Sequence, residues 1–142
     1  MKSIVDSLIK KIYGNPYIII EEAPVFYGRA DLLYLYNEDP FAIAVELKIR
    51  DWKKGLRQAL RNLFYAKYSF LAIQWKRTRT IDLDAFAKYG IGVIAVNGDA
   101  KIVLEPKESK MFFQYKKIIL RRLREQLDRD VAHSHKSALS GA

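Results

Sequence analysis

The spacing of hydrophobic positions along this chain changes several times, and each change marks a new element. In "SIVDSLIKKIY" the apolar residues fall at 4, 5, 8, 9 and 12, the spacing of a helix with one buried stripe, and Gly14-Asn15-Pro16 ends it. "YIIIEE" has strand character, and Pro24 and Gly28 mark a bend or hairpin before a second strand, "ADLLYLY". Asn37-Glu38-Asp39-Pro40 is turn chemistry, and "FAIAVELKI" follows as a third strand. So short a connection predicts an antiparallel hairpin between strands two and three. Asp51 is placed to cap a helix reaching about Lys67, whose apolar side is Trp52, Leu56, Ala59, Leu60, Leu63 and Ala66. "SFLAIQW" is nearly all apolar, as a strand covered on both faces would be. A short helix in "TIDLDAFAKYG" starts near Thr80 or Asp82 and closes at Gly90. Two strands, "IGVIAVN" and "KIVLEP", meet at the turn Asn97-Gly98-Asp99, and a long basic helix, "KMFFQYKKIILRRLREQLDRD", follows.

The order is thus α-β-β-β-α-β-α-β-β-α. An antiparallel meander followed by helix-strand alternation implies an α/β fold, a mixed central sheet with helices on both faces. No repeat or interdomain linker interrupts it. The expectation is one domain over residues 1–130 and a small, polar, flexible tail over 131–142.

Composition adds one strong feature. The chain has 142 residues, no cysteine and a net charge of +9. Lack of cysteine excludes a disulfide framework, a thiolate zinc site and a cysteine nucleophile. No apolar run is long enough to span a bilayer, and the N-terminus lacks the uninterrupted apolar region of a signal peptide, so a cytoplasmic protein is expected. The charge is concentrated: Leu47 to Arg79 holds ten basic residues against one acid, Asp51, while the rest of the chain balances. Such a field attracts a polyanion, nucleic acid foremost; a solvated helix face or an acidic protein or lipid partner is the plainer alternative.

Within "IAVELKIR" the alternation puts Glu46 and Lys48 on one strand face. The hairpin brings the start of the previous strand, with Asp31, beside the end of this one. Two carboxylates so placed repel unless a cation lies between them, and carboxylates with a backbone carbonyl make a hard oxygen site suited to Mg²⁺ or Mn²⁺. A metal there can acidify water, and the lysine can orient it or stabilise charge at phosphorus. The plainer reading of Glu46–Lys48 is a surface ion pair worth at most about 1 kcal/mol.

These residues resemble the PD-(D/E)xK nuclease superfamily, which includes restriction endonucleases and archaeal Holliday-junction resolvases. The likeness rests on Asp31 in "GRADLLYLY", Glu46 and Lys48 in "AVELK", and Gln58 in "GLRQALRN", and covers roughly residues 3–75. It implies a restriction endonuclease-like fold in which Asp31, Glu46 and the Leu47 carbonyl hold the metal. Lys48 would activate the attacking water, and Gln58 would help hold the lysine, water or substrate. DNA is the implied partner, cut to leave 5′-phosphate and 3′-hydroxyl ends. Ala30 stands where the name-giving proline would be, and Asn62 stands where a branch of the family has tyrosine, with Tyr65 nearly one turn on. No glutamate lies in the first helix; Glu21 or Glu22 is the other source of a further carboxylate.

Lys54, Arg57, Gln58, Arg61 and Tyr65 follow three- and four-residue steps and predict one polar helix face able to track phosphates. Lys76, Arg77 and Arg79 follow the fourth strand and suit a phosphate-contacting loop at the same sheet end if that strand runs parallel to the third. The last helix carries Phe112, Phe113, Tyr115, Ile118, Ile119, Leu123 and Leu127, a face for the core or for a homodimer. Its Lys116, Lys117, Arg121, Arg122 and Arg124 are further cations, and His133-x-His135 reads as an incidental pair. The expected activity is metal-dependent, structure-selective or weakly specific DNA cleavage in repair, recombination or defence. The alternatives are an inactive DNA-binding or scaffold protein of the same fold, and a basic RNA- or protein-binding module.

Overall fold

The computed structural model describes residues 1–25, 28–37 and 41–111, with residues 121, 124, 125, 128, 129 and 132 of the segment beyond. Three helices, one short 3₁₀ turn and six strands are seen among them. Helix α1 (Lys2–Tyr13) ends at Gly14, whose φ of 85° lies in the region glycine enters most readily. Strands β1 (Ile18–Val25), β2 (Gly28–Tyr36) and β3 (Phe41–Lys48) form the antiparallel meander. Helix α2 (Trp52–Asn62) carries the chain to β4 (Tyr68–Gln74), which pairs in parallel with β3. The 3₁₀ turn Trp75–Arg77 and helix α3 (Leu83–Tyr89) then lead to β5 (Gly92–Val96), parallel to β4, and β6 (Ala100–Leu104) returns antiparallel. Strand order in space equals chain order, β1 to β6, so the sheet is mixed as the element sequence implied.

Alternation along the strands decides which helix meets which face. Leu32, Tyr34, Ile43, Val45, Phe70 and Ile94 join Val5 and Ile9 of α1 in one buried cluster. On the opposite face Leu71, Ile73 and Val93 pack with Ala59 of α2 and Phe86 of α3, and Leu33, Leu35, Ala42 and Ala44 pack with Tyr65 and Ala66. Helices therefore cover both faces, an α/β architecture consistent with a restriction endonuclease-like fold. Ala42 and Ala44 are completely buried, their small side chains admitting the turn that holds Tyr65 and Ala66.

Two helix starts use the caps their sequences offer. The Asp51 carboxylate accepts from the Lys54 N–H at 3.1 Å, and Asp82, not Thr80, caps α3 by accepting from the Ala85 N–H. Helix α2 is shorter than its periodicity suggests, ending at Asn62 and not near Lys67. The Asn62 carbonyl accepts from the N–H groups of both Tyr65 and Ala66, and Lys67 N–H already donates to the Ala42 carbonyl at the head of the next strand pair. Continuing the helix would have carried Lys67 away from the sheet.

In the C-terminal segment, residues 121, 124, 125, 128, 129 and 132 are helical. The proposed dimer face, Phe112, Phe113, Tyr115, Ile118, Ile119, Leu123 and Leu127, lies outside the described residues, as do Lys116, Lys117, Arg122, His133 and His135. No described helix is long and apolar enough to cross a membrane.

Candidate active site

Strands β2 and β3 pair from Tyr36↔Phe41 to Leu32↔Val45 and then part. One step further the register would set Asp31 against Glu46. Instead the Asp31 carboxylate enters the gap and accepts the Leu47 N–H at 2.8 Å, so a side chain replaces the ladder partner of that amide. The Lys48 Nζ lies 4.0 Å from the same Asp31 oxygen, and both side chains are largely sheltered, 18% exposed for Lys48 and 32% for Asp31. Asp31, Glu46 and Lys48 are thus brought together at one end of the sheet.

Glu46 is wholly buried. One of its oxygens, Oε1, accepts from the Asn62 Nδ2 at 2.9 Å, and the other, Oε2, has no hydrogen-bond partner among the described residues. Burial pushes the Glu46 carboxyl up from 4.5 to about 7; the Asn62 hydrogen bond and the Lys48 charge pull the other way, and neighbouring Asp31 adds to the rise. Asn62 is itself held: the Tyr65 hydroxyl donates to its Oδ1. That bond settles the amide's orientation, because an oxygen already facing a hydroxyl donor leaves the NH₂ group to face the carboxylate. Burial, and next the negative charge of Glu46, push the Tyr65 phenol up, so its hydroxyl stays a donor.

Helix α2 lies over this end because Gly55 lets it. A methyl group at that position would sit 2.7 Å from Leu71 Cδ1 and 3.0 Å from Lys48 Cγ. Gly55 therefore presses the first turn of α2 against Lys48, and Asn62, two turns on, reaches Glu46. Gln58 lies between these contacts along the helix, half-buried, and its Oε1 is enclosed with no partner among the described residues. The Ser69 hydroxyl fastens the same helix to β4 by donating to the Ala59 carbonyl at 2.7 Å.

One residue expected at a phosphate surface lies elsewhere. Tyr65 is 2% exposed and bonds to Asn62, so it is neither a stacking platform nor a phosphate donor. A shared face with Lys54, Arg57, Gln58 and Arg61 would require a longer helix than α2, which ends at Asn62. Arg61 is half-buried, and its Nη2 donates to the Arg29 carbonyl at 3.3 Å over Gly28, at the start of β2 and so at the sheet end that carries Asp31. Lys54, Arg57, Lys76, Arg77 and Arg79 are exposed, and the parallel register Lys48↔Ile73 sets the β4 exit beside the β3 exit. Glu21 pairs with Lys2 at 2.9 Å, and Glu22 is mostly exposed with Arg29 4.0 Å away. Asp6, on α1, pairs with Lys10. Among the described residues no three His, Cys, Asp or Glu side chains gather as a metal cluster.

Asn62 is the residue the sequence reading passed over as a site group; it stood out only as the substitute for a family tyrosine. The available signal was its place four residues after Gln58 on the side of α2 that meets β3.

No family model and no curated protein matches the chain. Among solved structures it is similar to a repair endonuclease from Pyrococcus abyssi, with a TM-score of 0.43 and 15% identity over 75% of this chain and 47% of that one. The chain thus spans about half the length of that structure. A likeness at that score decides neither fold nor chemistry; the side chains must carry both.

Proposed function

We propose that this chain is a metal-dependent deoxyribonuclease, cleaving phosphodiester bonds by in-line attack of water. The observation that supports it most is the meeting of Asp31, Glu46 and Lys48 at one strand end, with a buried carboxylate oxygen left unpartnered among the described residues. That oxygen and the carboxylate of Asp31 are hard donors, and two neighbouring acids beside one lysine favour a further cation. Asp31 and Glu46, with the Leu47 carbonyl, would hold Mg²⁺ or Mn²⁺. Bound there, the ion would neutralise charge on the phosphate and acidify a coordinated water.

The protein groups have separable tasks. The Lys48 ammonium, sheltered beside Asp31, donates to the attacking water or to the phosphoryl oxygens as charge develops. Gln58, one turn along α2 from the glycine that rests on Lys48, offers an amide to orient water or substrate. Lys54, Arg57, Lys76, Arg77 and Arg79 contact phosphates, which position a duplex without reading its sequence. Weak sequence preference follows.

The test is plasmid nicking with Mg²⁺ or Mn²⁺ by the wild type, Glu46→Ala and Lys48→Ala. Nicking by the wild type alone supports the reading. Binding of duplex, flap, junction and single strand with no cutting of any would replace it with an inactive DNA-binding protein.

A further inference from the structure

At the sheet end that carries the candidate site, the opposite face, covered by α1, has a concavity. At the exits of β4 and β5 a cleft of about 320 Å³ is lined by Ile4, Gln74, Trp75, Lys76, Val96 and Asn97, among others. Gln74 pairs with Val96, one residue beyond the level at which Ile73 pairs with Lys48. With strands about 4.8 Å apart, the β5 exit lies about 10 Å from the β3 exit that carries Lys48. Trp75 keeps 44% of its surface exposed, and the same 3₁₀ turn carries the exposed Lys76 and Arg77.

Each part of this cleft suits the same ligand. An exposed indole flanked by cations is the arrangement on which unpaired bases stack, since every base has a π face and every linkage a phosphate. Gln74 and Asn97 carry side-chain amides, able to donate to and accept from base edges. The basic charge on this turn disfavours a cationic or purely apolar occupant, and the cleft and the carboxylate–lysine site lie at the same end of the parallel strands, on opposite faces of the sheet.

We infer that the cleft holds an unstacked base of single-stranded DNA on Trp75, with adjoining phosphates on Lys76 and Arg77. This rests on the nuclease reading and deepens it: the DNA at the site includes an unpaired segment, as at a flap, junction or frayed end.

The experiment is tryptophan fluorescence of the full chain, titrated with oligo-dT or blunt duplex of equal length in EDTA, where no cutting occurs. The other tryptophan, Trp52, is half-buried, its ring 6.0 Å from Phe86, so Trp75→Phe removes the reporting indole and identifies its signal. The expected result is saturable quenching by oligo-dT that disappears in Trp75→Phe, about tenfold or greater loss of oligo-dT affinity in Trp75→Ala, and little effect of Trp75→Ala on duplex binding. Circular dichroism would check that both variants fold. Oligo-dT affinity within about twofold of wild type in Trp75→Ala, or equal quenching of Trp75 by duplex, would overturn the inference. Failure in EDTA leaves the nuclease reading intact, and absence of cutting in Mg²⁺ leaves the stacking result intact.

Discussion

Glu46→Gln should make the metal-free protein more stable in alkali while removing one of its two acidic site groups. The substitution keeps the shape of the side chain and an oxygen to accept from Asn62, but the amide never ionises. In the folded chain the Glu46 carboxyl stands at about 7, against an ordinary 4.5. Its proton is thus held more tightly folded than unfolded. That contribution is fully present below pH 4.5 and is lost as the pH rises through 7. The gap corresponds to about 3 kcal/mol, an upper figure because water entering the site would soften it. Urea unfolding in EDTA at pH 5 and pH 8.5 measures it. The two proteins should be similar at pH 5, and the variant more stable at pH 8.5 by up to about 3 kcal/mol. Mg²⁺ should narrow the gap by stabilising only the ionised wild type. Parallel pH curves, or a variant weaker at pH 8.5, would refute the assignment of a strained, buried acid.

The remaining predictions concern the supports of that acid and the basic surface. Asn62→Ala leaves Glu46 without its donor and should cost about 1–3 kcal/mol in urea melts at pH 8, less at pH 5, where the carboxyl is neutral. Tyr65→Phe keeps the packing but frees the Asn62 amide to turn over; a loss of about 1 kcal/mol and weaker Mn²⁺ binding by calorimetry are expected. Gly55→Ala gains about 1 kcal/mol of helix propensity but forces a methyl against Leu71 and Lys48, so its thermal midpoint should fall, with crowding of about 1–3 kcal/mol outweighing the gain. Lys54→Ala and Arg57→Ala should each lower the slope of log affinity against log salt for duplex DNA by about 1, measured by fluorescence anisotropy with both variants folded.

Much of the site was legible because it is encoded by short-range geometry. A two-residue period puts Glu46 and Lys48 on one face whatever surrounds them, and so short a connection between β2 and β3 brings the end of β3 back beside Asp31. The Asp51 cap marked where α2 begins. Its end was harder to read, since the apolar spacing continues through Leu63 and Ala66 while the chain itself turns to reach β4. That error misplaced Tyr65, which belongs to the core and not to the basic face.

The sequence by itself determined the element order, the strand faces, the concentration of charge and which three groups meet at the candidate site. Each depends on neighbours a few residues away, through periodicity, turns and caps. Only the tertiary structure decided that Asn62 and Tyr65 hold one oxygen of Glu46, that Arg61 reaches the start of β2, and that Gly55 lets a helix rest on Lys48. Those contacts join residues from separate elements, and their existence turns on ångström-scale packing and burial that no local pattern records. The raised proton affinity of Glu46 is decided there too, because a carboxyl has its ordinary value until the fold takes water away from it.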